Sequence, residues 1–179
     1  PQALDAGVTP IQVREIVYQA TAYLGMGRVR GFVDTMNRVF TSRGVKLPLP
    51  DTTEQKDVER VVKGEAAQVE IFGLRMKGFA TSSPEKTVAI RRWLSANCFG
   101  DYYPRGGLDY KQREMITFCF LAALGGCEPQ LRGHIQGNLN VGNDKRTLLA
   151  VVTQLLPYAG YPRTLNAIAC LNEAIPENE

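Results

Sequence analysis

The strongest constraint on how this chain can fold is a repeat within it. Residues 7 to 40 align with residues 142 to 175 at a constant offset of 135, without a gap. Gly7 meets Gly142, Val17 meets Val152, Gln19 meets Gln154, Tyr23 meets Tyr158, Gly25 meets Gly160, Arg28 meets Arg163 and Asn37 meets Asn172. Seven identities are few, but both stretches share one grammar of helix, Tyr-x-Gly turn and helix, so the two ends of the chain read as copies of one helix pair. At this offset His134 maps to a position ahead of Pro1. The first copy therefore lacks a counterpart of residues 107–135, and we expect the front of that copy to be absent from this chain rather than decayed within it.

Punctuation between the repeats gives the other elements. Thr9-Pro10 opens a helix that Gly25 ends, with Thr9 as cap and Pro10 at the first helical position. A second helix is expected from about Arg28 to Ser42. Lys46 to Asp51 (KLPLPD) reads as an extended linker, because two prolines at alternate positions disfavour helix. Asp51, with Glu54 three residues on, has capping-box spacing for a helix running to Gly73. Residues 74 to 82 read as a turn. Ser83-Pro84-Glu85 opens a helix ending at Gly100, and DYYPRGG (101–107) follows as a tight loop. Asp109 with Gln112 opens a helix over about 110 to 124, broken by Gly125-Gly126. Glu128-Pro129 starts a short helix carrying His134, Asp144 caps one reaching about Tyr158, and Tyr161-Pro162 starts the last, ending near Ile175. No stretch of five residues alternates as a half-buried strand would. The expectation is an all-α chain of about eight helices.

Composition narrows the function. Hydrophobic residues make up 44% and charged residues 22%, as in an ordinary globular chain. The net charge is only +3. Its basic residues, among them Arg28, Arg30, Arg38, Arg91, Arg92, Arg146 and Arg163, are scattered and accompany no nucleic-acid motif, so nucleic acid is not an expected partner. No secretory leader is evident, and no run of eighteen apolar residues exists, the longest stretch being Ile116 to Leu124. A soluble, cytoplasmic protein without membrane contact is expected. The four cysteines, at 98, 119, 127 and 170, form no Cys-x-x-Cys; Cys119 and Cys170 read as small buried hydrophobes. One histidine and no acidic cluster at ligand spacing argue against a metal.

Three residues between Gly107 and Gly142 stand out because they interrupt apolar helical patterns. His134 is the only histidine. It reads either as a hydrogen-bonded core residue or as a group that moves protons near neutral pH. Glu114 reads as a solvated helix residue or as a partner fixing the tautomer of His134. Cys127 precedes a helix N-terminus, where the dipole is expected to lower its thiol pKa, and lies two turns from His134 if the helix extends back; otherwise it is a small loop residue.

The run FGDYYPRGGLDYKQREMITFCFLAALGGCEPQLRGHIQGNLNVG, followed by a helix and YAGYPRTLNAIACLNE, resembles the carboxymuconolactone decarboxylase family of the alkylhydroperoxidase D-like superfamily. One full copy covers residues 58–179, residues 1–44 match the second half of another, and 45–57 link them. The resemblance implies a multihelical fold, homo-oligomers from dimer to hexamer, and no cofactor. It places the family's catalytic histidine at His134. Glu114 is similar to the glutamate of the peroxidase branch, in which carboxylate orients histidine and histidine activates a thiol, although the Glu114–Cys127 spacing departs from that branch by one residue. Gln130 stands where that branch has its second cysteine, so the two-cysteine cycle cannot run here. Arg105 resembles the arginine of the decarboxylases' WxRPG-like loop, where a guanidinium would hold a substrate carboxylate two-pronged; the alternative is a loop salt bridge with Asp101. Trp93, Tyr102 and Tyr103 wall a pocket or pack in the core, and Tyr103 replaces a tryptophan of the decarboxylases.

Three functions follow. One is cofactor-free decarboxylation of a small carboxylated lactone with His134 as acid and base. Another is a thiol-dependent peroxidase using Cys127, His134 and Glu114. The third is a non-catalytic oligomeric protein that binds a small molecule.

Overall fold

The computed structural model describes residues 1–53, 59–82 and 84–176, and all regular structure among them is helical. The expected eight helices are α2 (Pro10–Leu24), α3 (Met26–Ser42), α4 (Arg60–Phe72), α5 (Glu85–Trp93), α6 (Tyr110–Leu124), α7 (Glu128–Asn140), α8 (Lys145–Ala159) and α9 (Tyr161–Ala174), preceded by a single turn, α1 (Gln2–Asp5). No helix among the described residues is long and apolar enough to cross a membrane. The chain forms two compact units: Pro1–Glu70 with Leu74–Asp109, and Ile71–Gly73 with Tyr110–Glu179.

In the first unit, Thr9 caps α2 through a full capping box with Gln12, its Oγ1 accepting from Gln12 N at 3.2 Å. Gly25, at φ 80°, turns directly into α3, which therefore starts at Met26 rather than Arg28. Val29, Met36 and Phe40 form the buried stripe of α3. The helix expected from Asp51 does not start there. Asp51 Oδ1 accepts from both the backbone N (3.0 Å) and Oγ1 (2.8 Å) of Thr53, closing a local turn, and the helix begins near Arg60. Glu54, the other half of the expected capping box, lies outside the described residues, as does Ser83, the expected cap of α5.

The helix expected to end at Gly100 instead widens into a π-helix over Leu94–Tyr102. This widening has a packing reason. A Cβ on Gly64 of α4 would sit 1.8 Å from the backbone oxygen of Ser95 and 2.8 Å from the backbone N of Gly100. A Cβ on Gly100 would sit 2.2 Å from the oxygen of Arg60. Bare backbone thus crosses bare backbone. Ser95 Oγ donates to Gln68 at 2.7 Å within this crossing, and Arg60 binds Asp101 two-pronged, both bonds at 2.6 Å.

In the second unit, α6 and α7 form a hairpin broken at Gly125-Gly126, Asp144 Oδ1 caps α8 by accepting from Thr147 N at 2.7 Å, and Gly160 (φ 77°) turns into α9. α9 packs on α6, α7 and α8. Phe118, Leu121, Leu131, Ile135, Leu148, Val152, Ala167 and Leu171 make the core.

The two helix pairs aligned at the offset of 135 have matching boundaries: α2 and α8 occupy 10–24 and 145–159, and α3 and α9 both start one residue after their glycine. Their neighbourhoods differ. Ala167 of α9 is fully buried, whereas its counterpart Phe32 of α3 is 65% exposed.

Candidate functional site

Glu114 and His134 meet because each continues the apolar stripe of its own helix. On α6 the buried residues Glu114, Thr117, Phe118 and Leu121 follow the spacing of one helical face. On α7 the buried residues Leu131, Ile135 and Asn138 bracket His134 in the same way. Where these faces pack, His134 Nδ1 lies 2.7 Å from Glu114 Oε2. The glutamate side chain is fully buried and the histidine side chain 12% exposed. Glu114 is therefore no solvated surface residue. A carboxylate withdrawn from water needs strong partners, and the imidazole is one of them. A carboxylate can only accept, so the contact is a hydrogen bond when Nδ1 carries the ring proton, and Nε2 is then the basic nitrogen of the neutral ring. Phe72 stands edge-on to the imidazole, with centroids 5.2 Å apart and planes at 83°.

Behind the pair lies a polar support that sequence reading missed. Asn138 Nδ2 donates to the backbone oxygen of Glu114 at 2.9 Å and to that of His134 at 2.7 Å. Its Oδ1 accepts from Asn143 Nδ2 at 2.8 Å, and Asn143 also reaches the oxygen of Lys111 at 2.8 Å. The available signal was an asparagine four residues after His134, on the same face and flanked by apolar positions, where an unpaired amide would be costly.

Cys127 is the N-cap residue of α7, immediately before Glu128. The expected lowering of its thiol pKa is reversed. Burial comes first and the negative charge of Glu128 second in pushing it up, with Cys170 adding to both. The thiol donates to the oxygen of Leu121 at 3.4 Å, which also favours the protonated form. Gln130 is exposed.

Arg105 belongs to the first unit, and its carboxylate partner is Glu15 rather than Asp101, which pairs with Arg60. Nε of Arg105 donates to Glu15 Oε2 at 2.9 Å and Nη2 to Oε1 at 3.1 Å, while Nη1 reaches Thr53 Oγ1 at 2.7 Å. Arg14 shares the same carboxylate, with Nε and Nη2 at 3.1 and 3.0 Å from Oε1. Burial opposes the charge of Arg105, and the bonds and charge of Glu15 outweigh it, so its pKa is raised. Tyr103 is a core residue at 1% exposure whose hydroxyl lies 2.8 Å from that of Tyr23. Tyr102 is half-buried, and Trp93 is 66% exposed.

A search of the curated proteins finds no match. The sequence model of the carboxymuconolactone decarboxylase family matches residues 89–173, a segment that includes Arg105, Glu114, Cys127 and His134. Through that segment, just under half of its length, the chain is similar to the carboxymuconolactone decarboxylase family.

Proposed function

We propose that the chain is a cofactor-free lyase of the carboxymuconolactone decarboxylase type, acting on a small carboxylated, lactone-type substrate with His134 as acid and base. The observation that carries this reading is the 2.7 Å contact between His134 Nδ1 and the fully buried Glu114. It orients the ring, so that Nε2 exchanges the proton. In the step itself the bond between the substrate carbon and its carboxylate breaks and carbon dioxide leaves. The electron pair passes into the conjugated carbonyl as an enolate. The imidazolium form of His134 then delivers its Nε2 proton to carbon, which leaves the neutral Nδ1–H ring, and Nε2 takes a proton back from water.

A peroxidase running through Cys127 draws less support. Its thiol is held protonated by burial and Glu128, and Gln130 replaces the second cysteine. The test is turnover of 4-carboxymuconolactone, followed by loss of substrate and release of carbon dioxide, with no cofactor or peroxide added. His134→Ala is expected to abolish it, and Glu114→Gln to lower kcat by about 10²–10³-fold, within the range for a positioned acid–base group. Unchanged turnover in His134→Ala would remove the histidine from the mechanism. Absence of turnover in the wild-type protein, across small carboxylated lactones, would favour a non-catalytic binding protein.

A further inference from the structure

Glycine at position 137 is costly for a helix and unexplained by any turn. It lies in the interior of α7 and is buried, where glycine disfavours the helix by about 0.5–1 kcal/mol relative to alanine. The space around it supplies the reason. A Cβ there would sit 2.7 Å from Glu114 Oε2, 2.8 Å from Phe72 Cε1 and 3.0 Å from Ile71 Cγ2. The oxygen it would strike is the one that holds His134 Nδ1. The neighbouring residue, Asn138, donates from a single amide nitrogen to the backbone oxygens of both members of the pair. One residue vacates the volume that the carboxylate occupies, and the next ties the two helices together at the heights of the two functional side chains.

We propose that Gly137 and Asn138 are positioning residues that together hold His134 as its Nδ1–H tautomer, with Nε2 as the base. The inference rests on the proposed role of this pair, but it concerns ring geometry and can be read without turnover. It separates Gly137 from the glycines of the α4 crossing. At Gly64 and Gly100 an added Cβ meets backbone oxygen, which cannot move aside. At Gly137 it meets the ends of side chains, so the helix can keep its place while Glu114 Oε2 is driven off the ring. Gly133, one turn earlier in α7, has nothing within 4 Å of its would-be Cβ and serves as the control.

Because the chain has one histidine, protein labelled with ¹⁵N-histidine gives the two ring nitrogens of His134 alone. In the wild-type protein, above the ring's titration, the proton is expected on Nδ1 and the bare-nitrogen signal on Nε2. Gly137→Ala is expected to move the proton signal wholly or partly to Nε2 and to lower kcat by about 10–100-fold, the usual effect of losing an outer partner of a functional histidine, with little change in KM. Gly133→Ala is expected to match the wild type in both. Asn138→Asp, which has the same shape and no N–H to donate, is expected to shift the tautomer in the same direction.

A wild-type protein carrying its proton on Nε2 would overturn the proposal even if no variant folds. So would a folded Gly137→Ala protein that keeps the Nδ1–H signal. If the tautomer pattern holds but no carboxylated lactone is turned over, the lyase reading fails and the positioning roles stand.

Discussion

Replacing Glu15 by glutamine tests whether the arginines of the first unit are structural. The Glu15 carboxylate is fully buried and takes two bonds from Arg14, two from Arg105 and one, at 2.9 Å, from Thr52 Oγ1. Glutamine preserves the shape but removes the charge, and points an N–H₂ group at guanidinium groups that can only donate. Two cations, with side chains 7% and 13% exposed, are then left without their shared anion. Asp51, 3.8 Å from Arg105 and largely exposed, compensates little. Breaking a buried pair from one side costs about 3–5 kcal/mol. At about 2–4 °C per kcal/mol for a chain of this size, thermal unfolding should move down by about 6–20 °C. Calorimetry or circular dichroism reads this directly. The double variant Glu15→Leu with Arg105→Leu should lose less than Glu15→Gln, because it removes a charge from each side. A Glu15→Gln protein that melts within a degree or two of the wild type would refute the reasoning. If it also bound a small dicarboxylate more tightly, Arg105 would be the substrate's cation, with Glu15 as its competitor.

Gly64→Ala should be among the most destabilising single-methyl changes in the chain, at about 3 kcal/mol or more, because its Cβ meets backbone 1.8 Å away. Gly31→Ala, in an open position of α3, should instead stabilise by about 0.5–1 kcal/mol, and urea melts of the two variants should diverge in sign. Cys127 should alkylate with iodoacetamide more slowly at neutral pH than an unstructured cysteine. Its pKa is raised, so its reactivity should climb only above the ordinary thiol range. Fast alkylation at pH 7 would contradict the burial and Glu128 effects.

Much of the helical framework was legible because its signals are local. Thr9-Pro10, Gly25, Asp144 and Gly160 act within four residues of themselves, and the helices start and stop where they indicate. Asp51 misled because the same side chain that can cap a helix can close a turn, and the choice was made elsewhere: Thr52 and Thr53 are held by Arg14, Glu15 and Arg105. The widening of the helix at 94–102 leaves no trace in apolar periodicity, since it answers to a glycine thirty residues earlier in another helix. For Glu114, a solvated helix residue and a partner of His134 were both open readings, and the packing of α6 on α7, which buries the side chain fully, decides between them. Asn138 carried only the weak signal of its place on the His134 face, because the two groups it donates to are backbone oxygens, and backbone carries no sequence. The thiol of Cys127 shows the reverse case, in which a sound local rule about helix dipoles lost to burial and to an adjacent acid.

The π-helix also fixes how long this part of the chain has to be. In an α-helix, residues five apart point about 140° away from each other. In a helix closed from i to i+5 they return to the same side, so Ser95 and Gly100 both lie against Gly64. The joint therefore depends on residue count as much as on residue type. Deleting one residue between Ser95 and Gly100 would allow an ordinary α-helix, yet would rotate everything beyond the cut by about 100°, carrying Asp101 off Arg60 and Tyr103 off Tyr23. Insertions and deletions in this protein should accumulate in the connections between helices and be excluded from this one stretch, however freely its exposed side chains are exchanged.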